Sequence, residues 1–485
     1  MTPQPNPPTQ PRKPTHSGSS RSYTPRLAVV QVLQAVAQHV PISDGGTLRK
    51  AEPLPFKLEN LLESVRPNRV NQPAWTAQDA GLFYAMTVGC VRYWRRLNAW
   101  ITHLSQCDWK RLEPTVGACL RLGLFQLFEL DDVPDYAAVS STLEVAEALR
   151  VSKKSRGFIN GVLRSATRAN GVTPFPTLEA DPLGFLTTQG SLPQWWAERL
   201  LKRHSVEEIS GLLKAYSAQT GLSLRVNTLK TSVVYALASL HDADIPVIQP
   251  DMNAQEMLLL PNFKGLPTQI EGYLDGLYYT QEPSSALVAR FLNPQPNERV
   301  LDLCAAPGSK TSHLAALMNN TGTIVALEPK AKRLAILQDN LDRLGVTHAT
   351  CLPLRGEALL EKPIATDYPV LGQPFDKVLV DAPCSGLGTI RKHPELLLTA
   401  HETHIMKQAP LQKNLLEAGL SALKVGGTLV YSTCSNEPEE TDAVIEAVLA
   451  THPEVTLAER IERLPHANGT VFGDGFTLFR LIKSE

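Results

Sequence analysis

Apolar positions recur along this chain with two different periods, and the change between them divides it. From residue 25 to about 168 the spacing is helical. Val29, Leu33, Val36 and Val40 fall on one helical face. LEPTVGACLRLGLFQLF reads as a strongly apolar helix, and DDVPDYAAVSSTLEVAEALR as a turn near Asp132 and Pro134 followed by another. In RGFINGVLRSATR, Phe158, Ile159, Val162 and Leu163 turn inward, which leaves Arg156, Arg164 and Arg168 nearer solvent. The pattern predicts an all-α domain over 25–168 with a basic end.

Residues 169–185 carry Pro and Gly and read as a linker. Over 186–285 the periods mix. WWAERLLKRHS is helical, a second helix follows, and LSLRVNTLK alternates, with Leu222, Leu224, Val226 and Thr228 on one face and Ser223, Arg225 and Asn227 on the other. This predicts a small α/β accessory domain. From 286 to 485, strands and helices alternate: ERVLDLCA, KTSHLAALM, GTIVALEP, KAKRLAILQDNLDRLG, then the strands FDKVLVDAPC, GGTLVYSTC and FTLFRLIK. Such alternation favours a mostly parallel, Rossmann-like sheet covered on both faces.

Composition narrows the picture. A chain of 485 residues suggests about three domains. Residues 1–24 are rich in Pro, Ser and Thr, cannot bury much apolar area, and are expected to be a disordered tail. The formal net charge of −1 argues neither for nor against nucleic acid, so an RNA surface would need local clustering of charge. Seven widely spaced cysteines without a C-x-x-C pair make a poor disulfide framework and a poor zinc site, and no metal is expected. No apolar run is long enough to span a bilayer and no signal-peptide core is present, so a cytoplasmic location without membrane contact is expected.

The candidate chemistry lies at strand ends, where ligands gather in open α/β sheets. Leu303-Cys304-Ala305-Ala306-Pro307-Gly308-Ser309-Lys310 leaves one strand and opens a helix. Gly308 lets backbone approach a ligand closely, and free N–H groups at the helix start can meet an anionic or polar group. The loop matches neither G-x-G-x-x-G nor the phosphate loop, which disfavours a nucleotide phosphate. Glu328 ends the next strand, where a carboxylate can accept both ribose hydroxyls or, alternatively, cap the following helix. A nucleoside cofactor without a phosphate loop fits S-adenosylmethionine. Two further strand tips carry thiols, Cys384 in DAPCS and Cys434 in YSTCS. A buried Cys is commonly only a small hydrophobe. Two of them, each followed by Ser, point instead to covalent catalysis. A thiolate added at carbon 6 of cytosine makes carbon 5 nucleophilic enough to take a methyl group, and a second thiol can assist release. Asp381 can face cofactor, base or both, and a protonated carboxyl there would hydrogen-bond N3. Arg391, Lys392 and His393, just after Cys384, form a basic patch suited to RNA phosphates. Cys304 is read as packing.

These residues carry a resemblance. LDLCAAPGSKT, DAPCSGLGTIRKHPE and YSTCSNEPEE resemble the cofactor loop, Pro-Cys motif and Thr-Cys motif of the two-cysteine RNA cytosine-5 methyltransferases, the NOL/NOP/Sun family. LRLGLFQLFELDDVPDYAAVSSTLEVA and GFINGVLR resemble the NusB fold. The resemblance implies nucleophilic attack by Cys434 and product release by Cys384. It also implies Asp381 against the cytosine, Lys310 in the active-site region, and Glu328 on the ribose of S-adenosylmethionine bound along residues 304–310. Where the family has an Asp after the third strand, toward the adenine, this chain offers Gly356-Glu357, which makes Glu357 the candidate replacement. Glu440 is followed by Thr441 rather than Asn, and TQEPSSALVA replaces the commoner Gln-Asp-Glu-Ala-Ser stretch. The implied substrate is a cytosine of 16S ribosomal RNA, met before the small subunit is fully assembled, by a monomer that does not act on DNA. Two alternatives stay open: a transfer RNA target, and a non-catalytic RNA-binding factor in assembly or antitermination.

Overall fold

The computed structural model describes residues 24–40, 56–65, 75–169, 173–218, 221–250, 255–261, 263, 265–361, 364–468 and 471–485. Apart from Thr24, the tail expected over 1–24 lies outside them. The chain divides into two compact units, one of N-terminal helices and one containing Thr173–Glu485 with two short earlier segments.

The N-terminal helices are α1 (Pro25–His39), α2 (Leu58–Ser64), α3 (Ala77–Arg92), α4 (Trp94–Ser105), α5 (Pro114–Glu129), α6 (Asp135–Ala148) and α7 (Lys153–Ala169). α5 starts where expected: Pro114 sits at the first position and the Glu113 side chain accepts the Thr115 N–H. Val29, Leu33 and Val36 are buried, but Val40 lies past the end of α1 and is partly exposed. On α7, Ile159, Val162 and Leu163 are buried while Arg164 and Arg168 face solvent; Arg156 pairs with Glu147 at 2.6 Å.

The second unit continues with α8 (Pro182–Thr187), α9 (Gln194–Arg203), α10 (Val206–Ser217) and α11 (Val233–Asp242). Part of the expected linker packs, because Leu178 is buried and Leu183 and Phe185 are partly buried in one cluster with Trp196, Ile209 and Leu212. Strands β1 (Leu222–Val226), β2 (Met257–Leu260) and β3 (Tyr278–Thr280) form a small antiparallel sheet in the order β2-β1-β3. Both faces of β1 are covered. Leu224 and Val226 join the apolar side, and Ser223, Arg225 and Asn227 are buried on the other.

The C-terminal sheet comprises β4 (Arg299–Asp302), β5 (Thr323–Leu327), β6 (Ala349–Leu352), β7 (Phe375–Asp381), β8 (Leu423–Thr433), β9 (Val455–Arg463) and β12 (Phe476–Lys483), with a small hairpin, β10 (His466–Asn468) and β11 (Val471–Gly473), beside it. The order is β6-β5-β4-β7-β8-β12-β9. The first five strands of that order are parallel, and β12 runs antiparallel to both β8 and β9. Strand periodicity splits each strand between two apolar layers. Leu301, Val378 and Val380 pack with Leu415, Leu416 and Val444 from α16 (Glu402–Ala422), which follows the short α15 (Leu396–Thr399), and α17 (Asp442–Leu449). Val300, Leu379 and Val430 pack with Val288, Leu314 and Leu337 from α12 (Pro283–Leu292), α13 (Ser309–Leu317) and α14 (Ala331–Leu344). Connections from β4 run to β5 on one side, and the chain later returns to β7 on the other. The C-terminal ends of β4 and β7 therefore mark the switch point where such sheets bind ligands.

Candidate active site

The predicted loop after β4 turns sharply into α13. Gly308, the residue preceding the helix, has φ +104°, a left-handed conformation that favours glycine. A Cβ there would stand 3.0 Å from Leu337 Cδ1, so the turn also needs the missing side chain to lie against α14. Asp302, at the end of β4, accepts the Cys304 N–H at 3.3 Å and the Thr311 hydroxyl at 2.7 Å. These bonds fold the loop back on its own strand. Burial pushes the Asp302 carboxyl up to about 6, against the opposing pull of the Thr311 hydrogen bond. Cys304 is packed beside the core, and burial raises its thiol well above the ordinary value.

Behind the loop, α13 is clamped by the accessory sheet. Arg225 donates to Gln281 at 2.7 Å and to Ser312 at 2.8 Å. His313 Nε2 lies 2.8 Å from Glu256, which also accepts from Arg290 Nε at 2.8 Å. From the polar face of β1, Arg225 thus holds the helix that follows the loop after β4, while Asn227 donates to the Gly276 and Leu344 carbonyls.

Glu328 follows β5 and is 3% exposed. One oxygen accepts the Lys330 N–H at 2.8 Å, and the other stands 3.2 Å from Arg333 Nη1. The capping role and the ligand role are compatible, since a carboxylate offers about four acceptor sites. Arg333 also donates to the Ala306 carbonyl at 2.6 Å, tying Glu328 to the loop of Ala305, Ala306, Pro307, Gly308 and Ser309. Glu357 lies in a short 3-10 turn after β6, 4.0 Å from Arg355 and partly exposed. The residues present fit an adenosyl sulfonium: Glu328 offers a carboxylate for ribose hydroxyls, and the first-turn N–H groups of α13 can meet a carboxylate.

On the other side of the switch point, the parallel register of β7 and β8 sets Asp381 opposite Ser432. The Ser432 hydroxyl donates to Asp381 Oδ1 at 2.7 Å, and Lys310 Nζ lies 2.8 Å from Asp381 Oδ2. Burial opposes the Lys310 charge, but the Asp381 carboxylate outweighs it and holds the ammonium above its ordinary value. Beyond the strand ends the two thiols meet, with Cys384 Sγ 3.2 Å from Cys434 Sγ. Contact with Cys434, then burial, raises the Cys384 thiol well above the usual range. The loops are held at close range: Gly388 N–H donates to the Cys434 carbonyl at 3.0 Å, and Gly475 N–H to the Gly388 carbonyl at 2.8 Å. A Cβ on Gly388 would lie 2.3 Å from the Gly475 carbonyl oxygen, which explains the glycine.

Arg391 is corrected out of the basic patch expected after Cys384, while Lys392 stays partly exposed and His393 exposed. Arg391 is 2% exposed, with Nη2 2.7 Å from Asp474 Oδ1. Lys392 lies 3.1 Å from the other Asp474 oxygen, and His393 is 3.5 Å from Glu395. Desolvating Arg391 is tolerable only beside a buried carboxylate, and Asp474 comes from a loop 83 residues away that local spacing does not reveal. Sequence reasoning also missed Ser432, Thr311, Arg199 and Gln412. Arg199 donates to Glu437, Glu402 and Glu439 at 2.7–2.9 Å, which pins the Thr-Cys loop to α9. The acidic run Glu437, Glu439, Glu440 was the available signal, because clustered carboxylates need cations nearby. Among the described residues, no group of three or more His, Cys, Asp or Glu is arranged to hold a metal ion, and no helix is long and apolar enough to cross a membrane.

Comparison with known proteins decides the family. A family described as 16S rRNA methyltransferase RsmB/F matches residues 289–478. Over 469 residues the chain is 33% identical to ribosomal RNA small subunit methyltransferase B of Pseudomonas putida strain KT2440, which spans 95% of this chain and 98% of that one. The chain belongs to the RsmB/F family of ribosomal RNA methyltransferases. Two further RsmB/F features agree: the NusB family matches residues 24–168, and the RsmF/B-like ferredoxin-like domain matches 192–263. The probable ribosomal RNA small subunit methyltransferase B of Bacillus subtilis strain 168 is 34% identical over 395 residues, 77% of this chain and 84% of that one. Among solved structures, a methyltransferase homolog protein from Pyrococcus horikoshii is 32% identical, with TM-score 0.53 over 62% of this chain and 98% of its own. The crystal structure of PH0851 shares the fold at TM-score 0.70 and 24% identity, covering 95% of this chain and 99% of that one. As an RsmB/F member the protein is an S-adenosylmethionine-dependent methyltransferase of ribosomal RNA.

Proposed function

We propose that this enzyme methylates carbon 5 of a cytosine in 16S ribosomal RNA through a covalent cysteine adduct. The observation that carries the reading is the approach of Cys384 and Cys434 to 3.2 Å beside the Lys310–Asp381 pair and the loop at Gly308. S-adenosylmethionine supplies an electrophilic methyl group on its sulfonium. Glu328 would hold its ribose, the N–H groups after Gly308 its carboxylate, and Glu357 is the candidate for its adenine side.

The protein's own residues do the rest. Cys434, as thiolate, bonds to carbon 6 of the ring, which pushes electrons onto carbon 5. Asp381 accepts from the exocyclic amine of the base. The donor expected of a protonated Asp381 toward N3 is available from Lys310, because both Asp381 oxygens already face donors in the free enzyme. After carbon 5 is methylated, its proton leaves to water, the ring double bond re-forms, and the Cys434–carbon 6 bond breaks with its electron pair returning to sulfur. Cys384, kept protonated by its surroundings, can hand a proton to that departing sulfur. The target base must be unpaired or turned out of any helix to reach the two thiols.

In domain terms, we propose residues 25–168 as the NusB-like RNA-binding domain, 186–285 as the accessory RNA-recognition domain and 286–485 as the catalytic domain. The substrate is small-subunit RNA before full assembly, handled by a monomer in the cytoplasm. The test is incubation with undermodified small-subunit RNA and labelled S-adenosylmethionine. Label at carbon 5 of a cytosine is expected, and its absence from every cytosine would sink the proposal. Mapping 5-methylcytosine in cells lacking the gene separates the RNA classes: loss confined to transfer RNA would transfer the same chemistry to that substrate.

A further inference from the structure

The residues that follow the two thiols meet on one buried carboxylate. Glu440 is 0% exposed. Its Oε1 accepts the Ser385 backbone N–H at 2.7 Å, and its Oε2 accepts the Ser385 hydroxyl at 2.6 Å. The Ser385 hydroxyl lies 3.3 Å from that of Ser435. Ser385 directly follows Cys384 and Ser435 directly follows Cys434, so this cluster binds the two thiol loops to each other. On the far side, Gln412 of α16 donates to the Pro383 carbonyl at 2.9 Å and to Glu440 Oε1 at 3.3 Å. Both neighbours of Cys384 in the chain, Pro383 and Ser385, are thereby held. Glu440 itself is anchored, because the Tyr431 hydroxyl donates to its carbonyl at 2.7 Å.

A buried carboxylate is an expensive way to fix a loop. Burial raises the Glu440 carboxyl, and an apolar side chain would fill the space at lower cost. What a carboxylate adds is two acceptors that engage the N–H and O–H of one serine together, which fixes the direction of the chain at Cys384. It also puts negative charge beside the Cys384 thiol and so opposes loss of its proton.

We propose that Glu440, seconded by Gln412, is a positioning residue for product release: it holds Cys384, still protonated, against the Cys434 sulfur as that sulfur leaves carbon 6. The assignment rests on the covalent mechanism proposed above. Glu440 makes and breaks no covalent bond. The Cys384 proton passes to the Cys434 thiolate, and Cys384 regains a proton from water.

The experiment compares the full-length protein with its E440Q, S385A and C384A variants and an E440Q/C384A double variant on undermodified small-subunit RNA. It reads kcat, KM for RNA, melting temperature and the protein–RNA adduct on denaturing gels. For E440Q, kcat should fall about 10- to 100-fold, the loss expected from a charge-assisted hydrogen bond. KM should stay within about twofold. The adduct should accumulate as in C384A, and the double variant should be no slower than C384A alone. S385A, which keeps the carboxylate and removes one donor, should move in the same direction by about tenfold; it decides the matter if E440Q does not fold. Wild-type turnover in E440Q and S385A overturns the assignment, as does loss of activity without adduct and with a lowered melting temperature. If C384A itself traps no adduct, the covalent mechanism falls. If C384A traps adduct and the other two variants do not, only the role of Glu440 falls.

Discussion

Cys384 and Cys434 are 50 positions apart in the chain, yet their sulfurs are separated by 3.2 Å. The cause is the pairing of two parallel strands. Asp381 lies opposite Ser432, and the thiols follow this pair closely, Cys384 three residues after Asp381 and Cys434 two after Ser432. Two sulfurs at this distance can reach one pyrimidine ring, which makes their roles separable by mutation. Cys434→Ala should lower turnover by about ten thousandfold or more, the scale of losing a covalent nucleophile. Cys384→Ala should instead leave a covalent RNA adduct visible on denaturing gels. Equal residual activity in the two variants, with no adduct in either, would refute the division of labour.

Glu328 is almost fully buried yet keeps acceptor capacity beyond its bond to the Lys330 N–H. Glu328→Ala should weaken binding of S-adenosylhomocysteine about 10- to 100-fold, measured by titration calorimetry, because hydrogen bonds to a charged group contribute about 1.5–3 kcal/mol. Unchanged affinity would return Glu328 to a purely capping role.

Asp302 gives a pH signature. Its carboxyl is raised on folding from 3.8 to about 6. Across that window the native state keeps a proton that the unfolded state has lost, so stability falls as pH rises through it. Asp302→Asn removes the titration. Relative to the parent, the variant should gain on the order of 3 kcal/mol between about pH 4 and pH 6.5, read by urea denaturation. A difference that does not change with pH would show that the carboxyl titrates normally.

Arg391 tests the corrected basic patch. Removing the guanidinium leaves Asp474 buried beside Lys392 alone among the described cations paired with it, so Arg391→Ala should destabilise by about 3 kcal/mol and lower the melting temperature. The salt dependence of RNA binding should keep its slope. A slope reduced by about one, with stability intact, would put Arg391 on phosphate after all.

Much of the site was readable because its chemistry is encoded locally. The loop from Cys304 to Lys310, the carboxylate after β5 and the two thiols each sit at the end of a recognisable apolar strand. Arg391 misled because a charged triplet looks the same in sequence whether solvent or Asp474 receives it. Arg225 was placed on the correct face of its strand, but nothing local showed that this face would be covered by Ser312 and Gln281.

By itself the sequence determined the periodicities, and through them the helical N-terminal domain, the alternating C-terminal domain and the strand tips that carry the two thiols. Those features depend on residues a few positions apart, where backbone geometry dictates which side chains share a face. Only the tertiary structure decided which tips are neighbours, that Lys310 pairs with Asp381, and that Glu440 and Gln412 brace the loop of Cys384. These contacts are set by strand order and by the burial of paired charges, and both depend on the packing of segments distant in the chain.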